Sequence, residues 1–132
     1  MKDKSKIKDF NKNRSELKNN VAIIGRGRWS NVILSELKKN FPKIQKIFVF
    51  SNLFEKRYSK NRIKYSNSIR FIKSQNINYF IFASKNEKNI SYLKRFLGEK
   101  KFLLCEKPLI ANKSEIKKMI YYSKKYLNYL SI

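Results

Sequence analysis

Val21-Ala22-Ile23-Ile24-Gly25-Arg26-Gly27-Arg28-Trp29-Ser30 decides how the rest of the chain is read. Four apolar residues run without alternation into a glycine, the pattern of a strand buried on both faces of a parallel sheet. Strand one is therefore placed at 20–25. From Trp29 to Lys39 the apolar positions Trp29, Val32, Ile33 and Leu37 fall on one helical stripe, so an amphipathic helix follows and stops before Pro42. Two of the three glycines in the chain lie in this one turn. Gly25 permits a tight turn and Gly27 lets backbone approach a phosphate closely. The third position must be small for helix to meet strand, and Ser30 is small but is neither Gly nor Ala. The helix start adds free N–H groups and the positive end of its dipole. Gly25, Gly27, Arg28, Trp29 and Ser30 are thus candidates for holding a pyrophosphate.

Working outward, Ile44 to Phe50 reads as a second buried strand, followed by a loop at Ser51-Asn52 and a basic, poorly periodic segment to Asn61. Ile63 to Tyr65 is a short third strand. Ser66 or Asn67 caps a helix carrying Ile69, Phe71 and Ile72, and Tyr79 to Ala83 is the clearest strand of all. Asn86 or Asn89 caps the next helix, with Ile90, Leu93 and Leu97, ending near Gly98. Phe102 to Cys105 is a fifth strand, Asn112 or Ser114 starts another helix, and Tyr129 to Ile132 reads as a sixth strand. Such alternation of apolar strands with helices predicts an α/β fold: a doubly wound parallel sheet in the order 3-2-1-4-5-6, the Rossmann arrangement. The reading gives one domain over residues 20–132, behind a basic, solvated tail of residues 1–19 too poor in apolar side chains to offset the entropy of ordering it.

Composition bounds the function. The chain has 132 residues, enough for one domain, and a net charge of +23. That charge would point to a polyanion, but it is mostly scattered Lys in a sequence also rich in Asn, Ile, Phe and Tyr, as drift of the coding sequence toward A and T produces. One cysteine and no histidine exclude an intrachain disulfide, a Cys/His zinc site and Ser-His or Cys-His nucleophile pairs, and no metal ligand set is assigned. Cys105 reads as a core thiol. No apolar run approaches the length of a membrane span, so a soluble, reducing, cytoplasmic setting is expected, without a membrane partner.

Ligands of a doubly wound sheet sit beyond the carboxyl ends of its strands. After strand two, an NAD-binding chain would carry Asp or Glu for the ribose 2′-hydroxyl. Ser51-Asn52 stands there instead, with Lys56 and Arg57 close behind, so NADP is slightly favoured over NAD; loss of the acid from the adenosine pocket explains the same residues.

After strand five comes Cys105-Glu106-Lys107-Pro108-Leu109, and after strand four Ala83-Ser84-Lys85-Asn86. Glu-Lys-Pro at that place, the second motif, and Gly25-x-Gly27-x-Trp29 followed by Asn31 together resemble the Gfo/Idh/MocA oxidoreductases, in particular members acting on nucleotide-linked sugars. The resemblance covers roughly residues 20–132. It implies that the loops at Ala83, Ser84, Lys85, Asn86 and Asn89 and at Glu106, Lys107 and Pro108 line a nicotinamide dinucleotide, with Glu106 near the nicotinamide ribose and Lys107 as the catalytic residue at the substrate hydroxyl. The sequence departs from the family at Ser30, Lys85, Asn89 and Lys100, each expected to weaken cofactor affinity a little. Family members also continue into a second α/β domain that supplies the substrate pocket. The expectation is therefore a truncated or stand-alone NAD(P)-binding domain of sugar or nucleotide-sugar metabolism, inactive alone, to which a separate polypeptide could bring the remaining domain. Two alternatives stay open: a non-catalytic protein of this fold binding RNA or another polyanion through its basic surface, non-specifically, and a remnant that folds without activity.

Overall fold

The computed structural model describes residues 20–97, 99, 101–105, 112–125 and 129–131. The tail at 1–19 and the Glu106-Lys107-Pro108 motif lie outside them, as do Gly98 and Lys100. Seven strands form one sheet: β1 (Val21–Ile24), β2 (Ile47–Phe50), β3 (Tyr58–Lys60), β4 (Ile63–Ser66), β5 (Tyr79–Phe82), β6 (Phe102–Cys105) and β7 (Tyr129–Ser131). Their order is β3-β4-β2-β1-β5-β6-β7, and every pair is parallel except β3 with β4. Without β3 the order is the one expected of a Rossmann sheet.

The seventh strand corrects the expected six. Tyr58, Ser59 and Lys60 are exposed and carry no apolar pattern, so nothing in the sequence marks them as a strand. What holds them is a cross-strand pair: Tyr58 stands opposite Tyr65, the rings stacked with centroids 4.4 Å apart, and Phe54 sets its edge against both. Asn61, with φ of 55°, makes the tight turn between β3 and β4, a conformation that asparagine tolerates.

Helices α1 (Arg28–Asn40), α2 (Ile69–Ser74), α3 (Asn86–Leu93) and α4 (Lys113–Lys125) connect the strands, with a 3-10 turn at Lys94–Phe96. All four residues of β1 and of β2 are buried, as their unbroken apolar runs require. Successive residues feed opposite cores. Ala22, Ile24, Phe48, Phe50, Phe80 and Phe82 pack under α2, α3, the 3-10 turn and Met119 of α4. Val21, Ile23, Ile47 and Val49 pack against Ile33, Leu34 and Leu37 of α1. Each Val, Ile or Phe among them, when fully buried, contributes roughly 1.5–3 kcal/mol.

The helix starts differ from expectation in two places. Ser68, and not Ser66 or Asn67, caps α2 by accepting the Phe71 N–H at 3.1 Å. Lys85 occupies the cap position of α3 with no side-chain bond, and Asn89 is buried inside that helix. Asn112 does start α4: its Oδ1 accepts the Glu115 N–H at 2.8 Å while Glu115 accepts the Asn112 N–H at 3.2 Å, a reciprocal capping box. The C-terminal end of α1 is closed by a residue of the β3–β4 turn. The Arg62 guanidinium donates to the carbonyls of Lys38 (3.0 Å), Phe41 (3.3 Å) and Ile44 (2.8 Å), where a helix leaves carbonyls unpaired.

Candidate functional site

Because β2, β1 and β5 are neighbours and Ile24 is level with both Phe50 and Phe82, the loops that follow them begin side by side. Cys105 ends β6 level with Phe82. The sheet thus gathers the glycine turn, the Ser51-Asn52 loop and the Ala83-Ser84 loop at one edge.

Gly25 sits at φ of 140°, where side chains are strained, and its N–H donates to the Phe50 carbonyl at 2.8 Å. A Cβ there would lie 2.5 Å from the Ala83 oxygen and 2.8 Å from the Ser84 nitrogen, both backbone. The close approach requires glycine. Around it the loops are bonded together: the Ala83 N–H and the Ser84 hydroxyl both donate to the Ile24 carbonyl, at 2.8 and 3.0 Å. Ser30 is buried, and its hydroxyl donates to the Ala83 carbonyl at 3.2 Å. Serine at the third position of the motif is therefore small enough to let helix meet strand, and its one polar atom is satisfied there. Asn89, fully buried, accepts the Ser84 N–H at 2.8 Å through Oδ1, which leaves its Nδ2 without a partner among the described residues.

Gly27 is different. It caps α1 at φ −70° with no side-chain bond, and a Cβ added to it meets nothing within 4 Å. Its carbonyl takes the first helical bond, from Asn31, so the N–H groups of Arg28, Trp29 and Ser30 have no carbonyl a turn earlier to bond. No acidic residue stands in this first turn. An uncapped helix start, open space at Gly27 and basic neighbours are a donor set that fits a diphosphate. Trp29 is 59% exposed beside it.

The second loop is a tight turn. The Ser51 hydroxyl accepts the Leu53 N–H at 3.1 Å, and the Ser51 carbonyl accepts the Phe54 N–H at 3.2 Å. Asn52 and Lys56 are exposed. Arg57 lies with its guanidinium 4.2 Å from the Phe71 ring centroid, on the α2 side of the sheet. One residue that sequence reasoning passed over reaches this loop from the glycine turn: Arg26 Nη1 is 3.5 Å from the Leu53 carbonyl oxygen, and its guanidinium is 5.8 Å from the centre of the Phe54 ring. The sequence signal was its place between the two glycines. Lys85 and Asn86 begin α3 beside Ser84. Cys105 is buried.

Among the described residues no helix is long and apolar enough to cross a membrane. Residues 19–132 match the family described as an oxidoreductase family with an NAD-binding Rossmann fold. No curated protein sequence matches. Among solved structures, D-galactose-1-dehydrogenase from Rhizobium etli superposes with a TM-score of 0.67 at 19% identity, over 85% of this chain and 36% of that one. The WlbA dehydrogenase from Chromobacterium violaceum, solved in complex with NADH and UDP-GlcNAcA, gives 0.67 at 14% identity, over 86% and 34%. Homoserine dehydrogenase from Staphylococcus aureus gives 0.62 at 16% identity, over 85% and 32%. The chain spans about a third of the length of these proteins. A fold shared at such low identity is a likeness of architecture, while the match over residues 19–132 decides the family: the chain belongs to the Gfo/Idh/MocA oxidoreductases, as their NAD-binding Rossmann domain.

Proposed function

We propose that the chain binds NADP or NAD across the ends of β2, β1 and β5, and forms the cofactor half of an oxidoreductase acting on a sugar or a sugar nucleotide. The observation that carries this is the glycine turn, with Gly25 pressed on Ala83 and an uncapped α1 behind the open position at Gly27. When bound, the dinucleotide supplies the hydride acceptor or donor. The chain's part is to bind and orient. The N–H groups of Arg28, Trp29 and Ser30 and the dipole of α1 balance the diphosphate. Ser51 and Asn52 meet the adenosine ribose without a carboxylate, which leaves a 2′-phosphate unopposed and favours NADP.

Ala83, Ser84, Lys85 and Asn86, with Asn89 holding the Ser84 N–H, form the wall toward the nicotinamide. In the Glu106-Lys107-Pro108 motif the proposed roles are Glu106 for the nicotinamide ribose and Lys107 for the substrate hydroxyl, where an ammonium would stabilise charge developing on the substrate oxygen and could move a proton. A sugar or sugar nucleotide is supported by the Gly25-x-Gly27-x-Trp29-x-Asn31 pattern and by the sugar-acting dehydrogenases among the structural neighbours. A reducing cytoplasmic setting suits a chain whose single cysteine is buried.

Calorimetric titration of NADP and NAD into the chain tests the binding reading, with Gly27→Asp as control. Saturable heat in the wild type that vanishes in the variant is expected, because a carboxylate would occupy the open position facing the diphosphate. Equal heats in both would overturn the site.

A further inference from the structure

Selection between the two nicotinamide dinucleotides is decided where the adenosine ribose lies, and besides the exposed Lys56 two arginines are available near Ser51. By sequence, Arg57 is the nearer of the two. The structure sets it elsewhere: its guanidinium rests 4.2 Å from Phe71, whose ring lies 6.5 Å from that of Phe48, on the side of the sheet covered by α2. Arg26 stands on the other side. Phe54, above which its guanidinium sits at 5.8 Å, packs with Tyr65 and the α1 core, and Leu53, whose carbonyl it approaches at 3.5 Å, is two residues past Ser51. Arg26 therefore bridges the glycine turn and the β2 loop, the two places a dinucleotide must touch at once.

Its hold there is slight. Of the five N–H donors of a guanidinium, one is engaged among the described residues, in a bond at the long limit of hydrogen bonding. The others are free to meet an incoming anion. The Ser51 hydroxyl oxygen is occupied by the Leu53 N–H, and the stretch from Ser51 to Arg57 contains a single acid, Glu55. A phosphate monoester entering beside Ser51 would thus meet a planar cation ready to bind two of its oxygens at once.

We infer that Arg26 is the residue that selects the cofactor, pairing with the 2′-phosphate of the adenosine ribose so that the chain takes NADP over NAD. The inference rests on the dinucleotide reading above. Arg57, held over Phe71, contributes only general charge.

The test is calorimetric titration of the full chain and of Arg26→Ala and Arg57→Ala with NADP and with NAD, and of each with 2′,5′-ADP against 5′-ADP. Both variants lose one positive charge, so long-range attraction falls equally and only the local contact differs. Arg26→Ala should weaken NADP and 2′,5′-ADP by about tenfold or more, as expected for a lost charged hydrogen bond, with NAD and 5′-ADP within about twofold. Arg57→Ala should keep the wild-type ratio. A wild-type preference for NAD, an Arg26→Ala variant that weakens both dinucleotides alike, or a ratio that collapses in Arg57→Ala would each overturn the assignment while leaving dinucleotide binding intact. A wild-type chain that binds neither dinucleotide overturns both readings.

Discussion

No atom can be added to the Cα of Gly25 without striking the Ala83 carbonyl, 2.5 Å from where a Cβ would be. Gly27, two residues on, has open space in the same position. The two glycines of one motif therefore differ: the fold requires the first, and the second leaves the space that the proposed diphosphate site needs. Gly25→Ala should destabilise the chain by at least about 2 kcal/mol, since strained backbone and a backbone clash both oppose it. Gly27→Ala should stay within about 0.5 kcal/mol of wild type and lose affinity for NADP. Urea unfolding beside calorimetry would separate the two. A Gly25→Ala chain as stable as wild type would contradict the contact.

Arg62 closes α1 from the β3–β4 turn, with its shortest bond, 2.8 Å, to the Ile44 carbonyl. Charged hydrogen bonds of this kind contribute about 1.5–3 kcal/mol. Arg62→Ala should lower stability by about 2 kcal/mol, most visibly as faster amide exchange at the end of α1. Arg62→Lys should recover only part of it, because an ammonium cannot span the same set of carbonyls.

Acid should loosen the start of α4. The hydrogen bond from Lys94, with the backbone bond to Asn112 second, holds the Glu115 carboxyl below its ordinary range. A carboxylate whose pKa is depressed by folding contributes stability above its unfolded value and loses it as pH falls through the folded value. The wild-type chain should therefore exceed Glu115→Gln in urea midpoint at neutral pH, and the two should converge below the carboxylate range. A difference that persists at low pH would show that the charge is not its source.

Binding to RNA, where it is seen, should be non-specific and should fall steeply with salt, because a net charge of +23 spread over many lysines acts by counterion release. Filter binding in rising salt measures the slope. Sequence-selective binding that survives high salt would move the polyanion reading ahead of the oxidoreductase one.

The 132-residue chain assayed alone should bind a dinucleotide yet show no appreciable hydride transfer. Holding a substrate carbon in attack geometry supplies on the order of 7–11 kcal/mol in well-oriented systems, and these residues span only about a third of the length of the dehydrogenases they resemble. Absorbance at 340 nm against sugars, polyols and sugar nucleotides checks it. Turnover that disappears in Lys107→Ala would prove the prediction wrong.

The central strands were legible in the sequence because burial on both faces leaves an unbroken apolar run, as in Val21 to Ile24 and Ile47 to Phe50. The glycine turn was legible because glycine is scarce elsewhere. β3 was not, since its stability lies in one aromatic pair across strands, Tyr58 with Tyr65, which no local pattern announces. The caps of α2 and α3 failed for a related reason, whereas Asn112 does start α4. Ser66, Asn67 and Ser68 stand in a row before α2, and tertiary contacts decide which of them turns inward; Asn89 went to the Ser84 N–H instead of a helix start. Arg62 looks like any other surface cation until the loop that it reaches is folded against it, and Arg26 is set apart only by its place between the two glycines.

The bond from the Ser84 hydroxyl to the Ile24 carbonyl joins groups 60 residues apart. A nascent chain leaving the ribosome therefore carries the glycine motif through the synthesis of β2 to β5 before its contacts are complete. β1 can pair on one side once β2 has emerged, but the wall that holds Gly25 arrives only with β5. A peptide cut to the motif alone would lack that wall, and the turn would be one conformer among many. Such dependence on distant contacts slows folding relative to a helical bundle and makes the order in which segments appear matter as much as their composition.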